Sequence, residues 1–153
     1  MEIAYTDEQA GPAVGDALVA LAEVAMEAEA LPGSTQLSIT LVDENRMANL
    51  NTSYMNKPGA TDVLSFPIED FSAGITEPDP DGPPLLLGDI VICPSVVRAN
   101  ATAAGVAFED EMALMVVHGI LHLLGRDHVI ETEAEEMEKR EREILAMIGV
   151  ERP

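Results

Sequence analysis

The chain has no tryptophan, three phenylalanines, two tyrosines and one cysteine in 153 residues. A single cysteine excludes an intrachain disulfide framework and fits a reducing compartment. Cys93 closes an apolar strand pattern and reads as a small core residue. No uninterrupted apolar run approaches the roughly 18 residues that a membrane-spanning helix needs. The opening Met1-Glu2-Ile3-Ala4-Tyr5 lacks the basic start of a secretory signal. The expectation is a cytoplasmic protein with no membrane partner. Positive charge is scarcer still: eight Lys and Arg stand against 28 Asp and Glu, a formal net charge of −20. Such a surface repels polyanions, the reverse of the usual nucleic-acid footprint. Part of the excess, Glu131, Glu133, Glu135, Glu136, Glu138, Glu141 and Glu143, lies near the C-terminus and reads as the solvated face of a helix.

What is present is a globular composition, 47% hydrophobic and 24% charged, which suits one domain over residues 1–153. Strand and helix signals alternate along it. Ile3 to Tyr5 reads as a short strand. Residues 14–31 carry apolar positions at the helical period, ended by Pro32-Gly33. Residues 36–42 alternate with period two, as a half-buried strand does. Asp43 offers an N-cap to a short helix holding Arg46, Met47, Leu50 and Tyr54, and Lys57-Pro58-Gly59 breaks it. Residues 63–66 form a strand stopped by Pro67, and the Pro- and Gly-rich stretch 70–86 reads as a long mobile loop. A strand over 88–93, a helix from Pro94 to about Ala104, and helices over 108–124 and 131–148 follow, with Gly125 and Gly149 as C-caps. The order predicts an α/β (α+β) domain: a small mixed β-sheet of about four strands covered by helices.

All three histidines, His118, His122 and His128, fall within eleven residues. His118 and His122 are four apart on a helix, roughly 40° around its axis and one turn along it. Their rings can converge on one ion at the ~2.0–2.1 Å of a zinc–nitrogen bond. Gly125 lets the helix end with positive φ, so the chain can double back and bring His128 to the same point. Three neutral imidazoles leave a fourth tetrahedral position open, as catalytic zinc sites do. The residues around them are almost wholly apolar, and imidazoles buried there without a shared partner would be costly. One zinc per chain is expected, although such a site also accepts nickel or cobalt. The spacing H-x-x-x-H-x-x-G-x-x-H is also that of the metzincin metalloproteases. Their glutamate general base is replaced here by Gly119, which argues against a peptidase of that kind.

The run His118-Gly119-Ile120-Leu121-His122-Leu123-Leu124-Gly125-Arg126-Asp127-His128 resembles the signature H-G-x-L-H-L-x-G-x-D-H of the YbeY endoribonucleases at every fixed position. Asn51, Tyr54, Lys57 and Thr61-Asp62-Val63-Leu64-Ser65-Phe66-Pro67 resemble that family's second block, and Leu87-Gly88-Asp89-Ile90 its third. The resemblance implies a small mixed sheet with helices around it and zinc on His118, His122 and His128. It also implies metal-dependent cleavage of single-stranded RNA in maturing the 3′ end of small-subunit ribosomal RNA, and a part in ribosome quality control. Two positions depart from it. Many members carry an arginine where this chain has Met55, and a methionine cannot hold a phosphate as a guanidinium can. The position often occupied by tyrosine is Arg126, which we expect to replace part of the missing cation; the alternative is a surface arginine paired with nearby carboxylates. Asp127 is either the carboxylate that holds a ligand histidine's second nitrogen or a turn residue at the helix end. Lys57 is either a phosphate contact or a solvated loop lysine. Ser65 reads as structural, since no base stands near it in sequence.

Three classes of function fit. The first is a zinc-dependent endoribonuclease acting on ribosomal RNA, with His118 and Arg126 as its catalytic residues. The second is a metallohydrolase with another substrate. The third is a non-nucleolytic, acidic ribosome-assembly factor that binds a small-subunit ribosomal protein or an assembly GTPase. Many ribosomal proteins are basic, so the charge of −20 suits the third best.

Overall fold

The computed structural model describes residues 1–9, 15–69, 71, 82–125 and 131–151. In chain order its elements are β1 (Glu2–Asp7), α1 (Gly15–Ala28), β2 (Gln36–Leu41), α2 (Glu44–Met55), β3 (Val63–Pro67), β4 (Leu86–Ile92), α3 (Pro94–Ala104), α4 (Phe108–Leu123) and α5 (Glu131–Met147). Local sequence explains most of these boundaries. On β2, Leu37, Ile39 and Leu41 are buried while the residues between them are partly exposed, the two-residue period of a strand with one covered face. On α1, Leu18, Leu21, Ala22, Ala25 and Met26 form one apolar stripe. The Asp43 carboxylate accepts the Arg46 N–H at 2.8 Å and caps α2, which stops where Asn56 turns left-handed. Pro94 opens α3, where its missing N–H costs nothing.

The strands form one sheet in the order β1-β2-β4-β3. β1 and β2 pair in parallel, as do β2 and β4, whereas β3 runs antiparallel to β4. The fold is therefore α+β with a mixed four-stranded sheet, as the alternation of elements predicts. One face of the sheet meets α1 and α4 around Ile39, Leu87, Ile90, Ile120 and Leu121, all fully buried, and α5 packs against these two helices. Toward the β3 end, α2 covers the other face through a smaller cluster of Val42, Met47, Leu64, Val91 and Cys93. No described helix is long and apolar enough to cross a membrane.

Two strands begin or end differently from the sequence reading. β1 is longer than Ile3 to Tyr5 because it pairs along its whole length, from Glu2 opposite Gln36 to Asp7 opposite Leu41. β4 begins at Leu86 because that residue already pairs with Gln36. Most of the expected mobile loop, residues 70 and 72–81, lies outside the described residues.

The pairing of β2 with β4 slips by one residue: Gln36 faces Leu86 but Leu37 faces Gly88. The extra residue, Leu87, is driven into the core, and Gly88 absorbs the irregularity at φ +143°. A Cβ at that position would lie 2.4 Å from the Phe66 carbonyl oxygen and 2.8 Å from Leu123 Cδ2. Backbone cannot step aside as a flexible side chain can. Gly88→Ala is expected to lower the unfolding free energy by about 3 kcal/mol, combining backbone strain with overpacking. Urea denaturation followed by circular dichroism measures it.

Candidate metal centre

The central helix α4 is buried nearly all round, which is why its residues are apolar on every side. Its polar exceptions are therefore informative: Glu111 is buried, and His118 and His122 are partly so. Between the two histidines, Gly119 faces the sheet. A Cβ there would sit 2.9 Å from Ile90 Cδ1 and 3.1 Å from its Cγ1 and Cγ2. The glycine is what close contact between α4 and β4 requires. It also explains the departure from the metzincin pattern, because a glutamate at this position would enter the core instead of the site.

The rings of His118 and His122 stand 4.7 Å apart between centroids, inclined at 64°. Both line a cleft of about 430 Å³ whose other wall comes from α2, the turn after it and β3, including Asn51, Met55, Lys57 and Ser65. The histidine run and the second sequence block, more than fifty residues apart, thus share one concavity. The turn that carries Lys57 is tied down locally. Asn51 donates its side-chain amide to the Gly59 carbonyl at 3.0 Å and accepts the Lys57 N–H on its own carbonyl at 3.3 Å. The Thr52 hydroxyl donates to the Lys57 carbonyl at 3.2 Å.

Met55, at the position where the resemblance implies an arginine, lines this cleft and brings no charge to it. Tyr54 lies on the other flank of α2, 67% exposed, with its ring edge-on to Phe66 at 5.4 Å. Ser65 shares the cleft, with its hydroxyl at 3.5 Å from the Gly119 carbonyl. Cys93 is wholly buried; burial pushes its thiol up, and the charges of Glu44 and Asp43 add to this against the N–H groups of Val96 and Ser95. Gly125, at φ +86°, turns the chain left-handed as it leaves α4 and donates its N–H to the His122 carbonyl at 2.9 Å. Arg126, Asp127 and His128 lie outside the described residues. Among the described residues, no group of three or more His, Cys, Asp and Glu side chains is arranged to hold a metal ion.

One functional neighbour escaped the sequence reading. Glu141, counted there with a solvated acidic face, is 8% exposed and places Oε1 2.5 Å from His118 Nδ1. The signal that would have found it is helical spacing. Glu141 lies four residues after Met137 and three and four before Ile144 and Leu145, all three buried, so it sits on the apolar stripe of α5. The donor chemistry fits a metal: two imidazoles one turn apart share a cleft, and the nitrogen of His118 that touches Glu141 is Nδ1, so Nε2 is the one to meet an ion.

Gly119→Ala is expected to cost about 1–3 kcal/mol through overpacking, reduced by the helix preference for alanine. Ile90→Val in the same chain should recover part of the loss, and a double-mutant cycle by urea denaturation reads the coupling.

Comparison with known proteins places these features in a wider group. A family model described as "Endoribonuclease YbeY" matches residues 4–149. The endoribonuclease YbeY of Thermobifida fusca is 42% identical over 146 residues, covering 95% of this chain and 93% of that protein. That of Pseudarthrobacter chlorophenolicus is 46% identical over 140 residues, covering 91% and 88%. A solution structure of a Thermotoga maritima protein superposes with a TM-score of 0.61 at 27% identity, covering 95% of this chain and 91% of that one.

Proposed function

The chain belongs to the endoribonuclease YbeY family, and from that premise we propose that it is a zinc-dependent, single-strand-specific endoribonuclease of the cytoplasm. Enzymes of this family are hydrolases acting on RNA phosphodiester bonds. The proposed role is maturation of the 3′ end of small-subunit (16S) ribosomal RNA and ribosome quality control, carried by one domain over residues 1–153. The observation that supports it most is the cleft in which His118 and His122 meet Lys57.

In this reading His118, His122 and His128 hold one zinc ion per chain. Zinc bound there supplies Lewis-acid polarisation of a phosphate oxygen or acidification of a water. The remaining chemistry belongs to the chain. Lys57, on a turn fixed by Asn51 and Thr52, holds a backbone phosphate as a point charge. Arg126 offers the fork-shaped cation that Met55 does not, and stabilises charge developing on the phosphate. Asp127 holds the second nitrogen of a ligand histidine.

The net charge of −20 favours a second reading alongside the first. An acidic surface is complementary to basic small-subunit ribosomal proteins, and such a partner, or an assembly GTPase, would carry the enzyme to an RNA that its own field repels. A non-nucleolytic assembly factor keeps only this part of the account. A metallohydrolase with another substrate is the reading that Met55 favours.

The test is cleavage of an unstructured RNA and of a 16S precursor fragment by the purified protein. Cleavage should stop with a chelator and return with zinc, and His118→Ala and His122→Ala should each lower kcat/KM by about 100-fold or more. Lys57→Ala should weaken RNA binding and reduce the salt slope by about 1. Cleavage that ignores the chelator and survives both histidine variants would overturn the metal-dependent reading. Binding to ribosomal proteins without any cleavage would leave the assembly factor. Unchanged cleavage and RNA affinity in Arg126→Ala would remove that residue's role.

A further inference from the structure

We infer that Glu141 is a positioning residue for the metal centre: from α5 it fixes the tautomer and direction of the His118 imidazole so that Nε2 is presented as a ligand. The inference rests on the metal reading above. It begins with hydrogen-bond chemistry. An ionised carboxylate can only accept, and a neutral imidazole has one nitrogen that donates and one with a lone pair. With Oε1 2.5 Å from Nδ1, a carboxylate facing a neutral ring makes this bond only when the proton sits on Nδ1, and the lone pair that a metal needs is then on Nε2. Donation to a carboxylate also strengthens the opposite nitrogen as a ligand.

Burial gives a second, independent argument. Glu141 is 8% exposed on a stripe whose other members, Met137, Ile144 and Leu145, are core residues. A carboxylate is costly in such a place unless a partner satisfies it. Its partner therefore accounts for it, and that partner is His118.

The frame that holds Glu141 is set by the adjoining residue. Arg140 donates through Nε to Glu29 at 2.7 Å, through Nη2 to the Ala28 carbonyl at 2.8 Å, and through Nη1 to Glu143 at 2.9 Å. The first two bonds fasten α5 to the C-terminal end of α1, where carbonyls otherwise lack helical partners, and the third lies within α5. The Glu29 hydrogen bond, followed by that of Glu143, pushes the Arg140 guanidinium up, so it stays charged in this role. The direction of the His118 ring is thereby referred to α1 through two consecutive residues of α5.

The experiment uses the full chain in its metal-free form, with zinc as the probe. Two-bond ¹H–¹⁵N spectra of labelled histidine should show His118 as the Nδ1–H tautomer. In Glu141→Leu it should pass mainly to the Nε2–H form, and the zinc dissociation constant, by competition titration, should rise about 10–100-fold. Glu141→Gln, whose amide can accept or donate, should weaken zinc less than Leu. Circular dichroism should show both metal-free variants folded, so that the loss of zinc affinity reads the site, and the graded order Leu worse than Gln is one that a purely structural role of the carboxylate would not give. An Nε2–H tautomer in the parent chain, or zinc affinity in both variants within about twofold of it, would overturn the inference. His118→Ala and His122→Ala separate the two levels of the argument. If they keep zinc, the metal reading fails. If they lose it while Glu141→Leu keeps it, only the positioning role fails.

Discussion

The contact on which the site depends is the one between α4 and β4. Ile90 occupies the space that a side chain at Gly119 would need, so the helix lies flat on the sheet at the turn that carries both histidines. His118 and His122, one residue before and three after this glycine, are then carried along the helix edge that borders β3 and α2. Had α4 been held off by a larger residue, the imidazoles and the Lys57 turn would no longer border one cleft. The bulge at Leu87 and Gly88 serves the same contact from the sheet side, because Gly88 leaves room for Leu123 and for the β3 backbone. Glycines in two of the three sequence blocks are thus packing requirements before they are anything chemical.

The acidity of the chain divides into two kinds. Most of α5's carboxylates are solvated, and their summed field opposes the approach of RNA. Glu141 belongs to the same helix and the same run of sequence, yet it is buried against a histidine. The bulk field tells which partners are welcome at a distance, while the single buried carboxylate acts over one hydrogen bond. A molecule can therefore be strongly acidic and still use one of its acids to prepare a cationic centre. A cation in the cleft, such as Lys57, acts at short range where the distant charge is screened.

Much of this was legible in the sequence. Period-two alternation at 36–42, the Asp43 cap and the Pro94 start give β2, α2 and α3 almost to the residue, because the signals are local. The strand ends were not, because Glu2 and Leu86 are strand residues only by virtue of their partner Gln36. At the site, the spacing of His118 and His122 states their common face outright. What sequence could not state is which distant residues face them. Lys57 and Ser65 enter the cleft through the pairing of β3 with β4 and the packing of α4 on both. Glu141 was read with its neighbours as solvent-facing because seven glutamates close together mask one that keeps the helical period of the core.

The central claim is that the imidazoles on α4 hold a metal through Nε2 while Glu141 stays outside the coordination sphere. Anomalous X-ray diffraction at the zinc edge, on crystals of the zinc-loaded chain, tests it most directly. The account predicts one strong peak at about 2.0–2.1 Å from Nε2 of His118 and His122, with His128 as the third ligand and Glu141 still on Nδ1. A peak bonded to Glu141 or to His118 Nδ1, or no peak between these histidines, would contradict it.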